Sequence, residues 1–259
     1  MVSAKDIIVK PITAQAANAL VKRVHYSGKH TQNSQLHFGV FLNGKLEGAM
    51  QFGPSIDKRK TQKLVADTGW NGFIELNRMA FSDRLPRNSE SRALSVAFRM
   101  IKQHYPHIEW VISFADGAQC GDGTIYRASG FVLTAIKKNV QMLRMPDGSI
   151  IAKKTLDNPQ HMAAGGKFGS AAAREAGAKP LPGFQLRYVY FLNPEAKKRL
   201  TVPILPFSKI DEMGAGMYKG ESIKRDTKAT TSDQLVGGGA IPTITLHSSC
   251  AASKKTPEA

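Results

Sequence analysis

The sequence predicts an α/β fold with a mixed, mostly antiparallel central sheet flanked by helices, and three observations carry that expectation. Apolar runs of strand length alternate with amphipathic stretches of helical period. The turn dipeptide Asn43-Gly44 sits between two apolar runs, which is the signal of a tight antiparallel hairpin. Further along, a strand, a loop, a helix and a strand follow one another as in a βαβ unit, which brings a parallel pair into the sheet. A chain of 259 residues can bury one sizeable core with extensions, and nothing in it repeats.

The elements follow in order. Residues Ile7 to Ile12 read as a short strand, and Ala14 to Val24 as a helix with apolar positions at helical spacing. The hairpin spans His37 to Phe52. A basic, polar stretch from Asp57 to Lys63 leads to the strand-like run GFIELNRMAF, and then SDRLPRNSES marks a loop. Ser89 or Ser91 is expected to cap a helix over about Arg92 to His104, which carries Leu94, Ala97, Phe98 and Ile101 on one face. Pro106 separates that helix from the apolar strand Trp110 to Ala115. A Gly-rich loop, a short helix around Thr124 to Ser129, the strand FVLTAIKKNV and the late strand Gln185 to Leu192 complete the set.

Two segments stand apart. Met145 to Pro182 has little strand character and combines glycines with Lys167, Arg174 and Lys179, so it reads either as a mobile DNA-facing insertion or as a plain surface loop with one short helix. Residues 208–259, rich in Gly, Ser, Thr and Lys, read as a largely disordered tail after a catalytic domain of residues 1–207.

Charge narrows the partner. Lys and Arg number 36 against 20 acidic residues, a formal charge of +16. The segment after position 207 holds seven basic and six acidic residues, which leaves +15 on the first 207. A polyanion releases counterions when it meets such a surface, so nucleic acid is the first partner to consider. Two cysteines, Cys120 and Cys250, make neither a disulfide framework nor a CxxC metal motif. No stretch of 18 apolar residues occurs and the N-terminus lacks an apolar signal region, so a secreted or membrane-spanning protein is not expected.

The stretch from Phe73 to Phe131 resembles the core of a GNAT acyltransferase. In that family a loop and the start of the next helix hold the pyrophosphate of an acyl-coenzyme A, as helix N-termini hold anions generally. The corresponding loop here, Arg84 to Ser91, reads RLPRNSES and lacks the family's glycine fingerprint. Either Arg87, Asn88, Ser89, Ser91 and Arg92 hold the coenzyme in another geometry, or the donor differs. The strings HYSGK, ELNRM, FADGAQCGDGTIY and YRASGF, in this order over about residues 5–200, are more closely similar to the phage Mom family, divergent GNAT-like proteins.

That resemblance implies a transferase that converts adenine in double-stranded phage DNA to its N6-methylcarbamoyl form, shielding the DNA from host restriction. It also implies action in the cytoplasm of the host bacterium, an acetyl-CoA or related donor, and five site residues: His25, Tyr26, Arg78, Asp116 and Tyr126. Each has a plainer role open to it. His25 and Tyr26 can pack at a helix end. Arg78, in an apolar strand, either meets a carboxylate such as Glu75 or Asp116 or faces a polar cleft. Asp116, at a strand's carboxyl end, is placed as a general base or as a cap of the next turn. Tyr126 can protonate a leaving thiolate or pack on the sheet. Because acetyl transfer alone does not yield the methylcarbamoyl product, an iron held by His25, Tyr26 and Asp116 is a further expectation. A homodimer is left open, as are two other readings: an ordinary GNAT acetyltransferase and a non-catalytic DNA-binding protein.

Overall fold

The structure, a computed structural model, describes residues 2–159, 169–218 and 221–223. Local sequence sets the first elements. Strand β1 (Ile8–Pro11) runs into helix α1 (Ala14–Val24), whose N-cap Thr13 accepts a hydrogen bond from the Ala16 N–H. Strands β2 (Leu36–Leu42) and β3 (Lys45–Gly53) form the expected hairpin. Asn43 and Gly44 both take positive φ, 50° and 77°, as a two-residue turn of matching twist requires. The stretch read as merely basic and polar contains a short helix, α2 (Lys58–Gln62), because Asp57 caps it by accepting the Lys60 N–H.

Strand β4 (Phe73–Phe81), helix α3 (Ser89–His104) and strand β5 (Trp110–Asp116) are the βαβ unit. Helix α3 starts three residues earlier than expected, and neither serine caps it. Asn88 is the N-cap in a left-handed conformation, while the Ser89 and Ser91 hydroxyls donate to the Pro86 and Asn88 carbonyls. Helix α4 (Thr124–Ala128) and strands β6 (Val132–Lys138) and β10 (Phe184–Phe191) complete the main sheet, in the order β1-β2-β3-β4-β5-β10-β6. All of its neighbours are antiparallel except β4 and β5, so the mixed, mostly antiparallel sheet is present as expected.

The period of two in the strands divides the core between two faces. Met50 and Phe52 of β3 meet the α3 face made by Ala93, Leu94, Ala97, Phe98 and Ile101, whereas Ala49 and Ala80 pack against Ala17, Leu20 and Val21 of α1. Trp110 is fully buried, stacked on Phe73 at 4.5 Å between ring centres, and its indole N–H donates to Thr68.

Two expectations change. The segment from Met145 to Pro182 holds two short strands, Ile150–Ala152 (β8) and Lys179–Pro180 (β9), which pair with Met142–Arg144 (β7) just before it in a small antiparallel sheet. Helices Lys153–Leu156 and Ser170–Glu175 close over it, and Leu143, Leu156, Ala173 and Ala178 form its own core. Lys167 lies outside the described residues. The boundary at 207 also moves, since Ser208–Glu212 is a helix that buries Ile210 in the main core, and Met217 is buried as well. Residues 224–259, most of the expected tail, lie outside the described residues.

Leu94 is fully buried between α3 and the sheet. Leu94→Ala is expected to lower unfolding stability by about 3 kcal/mol, read from the urea midpoint at unchanged slope.

Candidate active site

Strands β4 and β5 pair through only three residue couples, Phe73 with Trp110, Ile74 with Val111 and Glu75 with Ile112. Beyond that point β4 continues beside β3 and β5 beside β10, so the two strands part. The opening holds a cavity of about 750 Å³, within the range of small-molecule sites. His25, Tyr26, Arg78, Asp116 and Tyr126 all line it, brought from four segments of the chain.

A β-bulge shapes its floor. Gln51 of β3 pairs with Arg78 and Phe52 with Leu76, so Asn77 is an extra residue in β4. The extra residue resets the alternation of side chains, and Glu75 and Arg78, an odd number apart, both reach the cavity. Glu75 is a cavity-lining carboxyl group that sequence reasoning named only as a partner for Arg78. Its carboxyl is held above the usual carboxylate range chiefly by burial, against the opposing hydrogen bonds of Ser55 and Asn77 and the Arg78 charge. The Asn77 Oδ1 beside it is buried and has no hydrogen-bond partner among the described residues.

Arg78 takes the second of its two expected roles. Its Nε donates to the Lys29 carbonyl at 3.0 Å and its Nη1 to the Asn77 carbonyl at 2.7 Å, and among the described residues it forms no ion pair. The first contact ties the HYSGK loop to β4. In that loop the Ser27 N–H donates to His25 Nδ1 at 3.2 Å, and the Ser27 hydroxyl stands 2.8 Å from the same nitrogen. A backbone N–H can only donate, so Nδ1 is the acceptor and the ring proton sits on Nε2. Burial, with the Arg78 charge adding to it, pushes the His25 pKa down to about 3. Tyr26, whose ring lies 4.2 Å from that of His25, is pushed well above the ordinary phenol range by burial and then by the Asp116 charge.

Asp116 caps the turn that follows β5 and also lines the cavity. Its Oδ1 accepts the Ala118 N–H at 3.1 Å, which caps the turn, and also the Gln185 amide at 2.8 Å, while Oδ2 accepts the Gln119 amide at 2.9 Å. Burial nevertheless holds its carboxyl above the usual range. Tyr126 packs against Phe131 and Tyr188 and is held up by burial against a hydrogen bond with Ser113. Helix α4 starts at Gly123, at φ 83°, where a Cβ would stand 2.5 Å from the Tyr188 ring, so only glycine fits. Both segments that were set apart supply lining residues: Ile150, Ala152 and Thr155 from the first, Met217 and Tyr218 from the second.

None of Arg87, Asn88, Ser89, Ser91 and Arg92 reaches the cavity. Ser89 is buried with its hydroxyl already used, Arg87 and Arg92 point to solvent, and the residue of that turn facing the cavity is Glu90, a carboxylate. The expected iron centre does not fit either. Among the described residues no cluster of three or more His, Cys, Asp or Glu is arranged to hold a metal ion. Tyr26 is held as a phenol, and each Asp116 oxygen already accepts an amide N–H. Among the described residues no helix is long and apolar enough to cross a membrane.

Among solved structures the chain is similar, at 11% identity, to the ribosomal-protein-S18-alanine N-acetyltransferase of Escherichia coli, over 72% of this chain and 94% of that one with a TM-score of 0.39. A further similar structure is an IAA acetyltransferase from Bacillus cereus, at 10% identity, 71% and 99% coverage and a TM-score of 0.40. In sequence the chain is 35% identical over 201 residues to the methylcarbamoylase mom of Escherichia phage Mu, covering 77% of this chain and 81% of that protein. Residues 6–209, which hold every segment lining the cavity except Met217 and Tyr218, match the Mom protein family, and the chain belongs to that family.

Proposed function

We propose that this protein is a methylcarbamoylase that modifies the N6 amino group of adenine in double-stranded DNA within the infected bacterium, and thereby shields that DNA from restriction. The observation that carries the reading is the convergence of HYSGK, ELNRM and FADGAQCGDGTIY, dispersed over a hundred residues, on one cavity in a chain similar to a methylcarbamoylase. The positive charge of the chain suits a duplex partner. An acyl-CoA or related donor is the class that the family resemblance implies. Direct attack gives the methylcarbamoyl product only from a donor with its leaving group X on a CH2 beside a carboxamide, X–CH2–C(O)NH2: the N6–C bond forms as the C–X bond breaks, X departs with the electron pair and the N6 proton goes to a base, whereas a plain acetyl thioester, whose leaving group is on the carbonyl carbon, does not supply it.

The N6 lone pair is delocalised into the purine ring, so its attack needs a base, orientation and exclusion of water. Adenine in a duplex reaches such a cavity by extrusion. Glu75 and Asp116 are the carboxylates able to take the N6 proton, and their raised pKa values make them stronger bases than exposed carboxylates. Neutral His25, with its Nε2–H, and Arg78 supply donors for developing negative charge on the donor group.

Nucleoside mass spectrometry of plasmid DNA from expressing cells is expected to show deoxyadenosine heavier by a methylcarbamoyl group. Glu75→Gln and Asp116→Asn are each expected to lower its yield by about 100-fold or more. Unmodified DNA alongside abundant folded wild-type protein would sink the assignment. The base works only when ionised, so in extract-supplied assays activity is expected to fall as pH drops through values above the usual carboxylate range, not near 4.

His25 gives a separate pH signature. Its folded pKa, about 3, lies below the value near 6.5 of an unfolded chain. The unfolded state therefore gains protons first, and the stability His25 contributes is full above about pH 6.5 and is lost as pH falls from there toward 3. Nitrogen-15 NMR of the ring at pH 5 is expected to show the neutral Nε2–H tautomer; an imidazolium spectrum there would contradict it.

A further inference from the structure

Ile56 is 70% exposed, more than any other large apolar side chain among the described residues, and yet it lines the cavity. Its stem is fixed. The neighbouring Ser55 is buried, hydrogen-bonded to Thr61 at 3.1 Å and to Glu75 at the cavity floor. Directly after Ile56 comes α2, with Arg59, Lys60 and Lys63 exposed. Lys58 stands 4.5 Å over the ring of the half-exposed Trp70 and donates to Asn71. The catalytic floor, an exposed aliphatic side chain and a run of cations thus follow one another within nine residues, Ser55 to Lys63.

We infer that Ile56 and α2 are the DNA-docking element, with Ile56 the wedge that fills the gap left in the base stack when an adenine enters the cavity. This rests on the DNA-modifying reading above. Extruding a base leaves unstacked faces on both sides of the gap, and enzymes and architectural proteins that distort duplexes insert apolar side chains such as Ile between base steps. An aliphatic side chain held out in water gains burial only there, which gives the exposed position a physical reason. Cations following the wedge meet the phosphates that flank the gap and fix the register of the duplex without reading its sequence. Phe114 and Ile150 also line the cavity and are partly exposed, but Phe114 lies within β5 and Ile150 within the small sheet; the helix Lys153–Leu156 brings two lysines after Ile150 as well, yet of the three side chains only Ile56 stands outside a strand, and it is the most exposed.

The test uses the full chain and plasmid DNA. Permanganate oxidises thymines left unpaired, so wild-type protein is expected to sensitise thymines opposite its target adenines. Ile56→Ala is expected to cut that sensitivity and the yield of modified deoxyadenosine by roughly tenfold, with melting temperature unchanged and duplex affinity within about threefold of wild type. Ile56→Phe, which keeps the bulk, and Ile8→Ala, at an exposed aliphatic residue of β1 that does not line the cavity, are expected to retain wild-type yield. The triple replacement Arg59→Ala, Lys60→Ala and Lys63→Ala is expected to weaken duplex binding and reduce its logarithmic salt slope by about 3. Wild-type yield from Ile56→Ala, or equal losses in Ile56→Ala and Ile8→Ala, overturns the wedge while leaving the activity standing. Absence of modified nucleoside from wild-type protein would instead remove the reading on which it rests.

Discussion

Everything in this site depends on the parallel pairing of β4 and β5 stopping after Glu75 and Ile112. Past that point each strand keeps one neighbour, β3 or β10, and loses the other. A separation of this kind leaves backbone N–H and C=O groups facing each other across a gap, and buried backbone groups must find partners. Two carbonyls on the β4 side are met by side chains: Leu76 by the Ser113 hydroxyl and Asn77 by Arg78. The gap is lined by apolar side chains such as Phe114 and Met142 together with polar ones, and the polar groups are the candidates for chemistry. Placing the opening at the carboxyl end of β5 also puts Asp116 where α/β sheets hold their ligands.

Holding polar groups there costs stability. Glu75 and Asp116 sit above their ordinary pKa because burial disfavours the carboxylate, and Asn77 leaves a buried oxygen unpartnered among the described residues. His25 and Tyr26 are held in their neutral forms mainly by burial. Most mutations that destabilise a protein do so by creating such groups, yet this fold concentrates them in one place. The offset lies in the apolar layer between α3 and the sheet, where Leu94, Ala97 and Ile101 are fully buried. The strain is local and the support is remote, as expected of a site held open for a substrate.

How much of this the sequence could tell follows from the range of the interactions involved. The hairpin, α1, the βαβ unit and the late strands rest on local period and turn chemistry, and they were legible. The five site residues were legible through the family strings, and they meet in space. Three things were not. The bulge at Asn77 has no local signature, and without it the alternation of β4 puts Glu75 and Arg78 on opposite faces. The small sheet of β7, β8 and β9 joins strands of two or three residues, too short to show a period. Met217 is buried and Tyr218 bridges Gly121, a contact between segments about a hundred residues apart, so composition alone made a site wall resemble a tail.

At the donor loop the family analogy and the cavity part company, since none of Arg87, Asn88, Ser89, Ser91 and Arg92 lines it. A helix N-terminus attracts anions when its N–H groups are open and no carboxylate precedes the ligand. Here the first turn of α3 carries Glu90, buried and facing the cavity, and Ser89 has already given its hydroxyl proton to Pro86. A pyrophosphate brought to that turn would meet a carboxylate before it met the helix dipole. The cations that line the cavity lie elsewhere, Arg78 on its floor and Lys29 in the HYSGK loop. Positive charge and helix dipole, which coincide in a phosphate-binding loop, are separated in this chain, and an anionic group entering the cavity is therefore drawn toward Lys29 and Arg78 and away from α3.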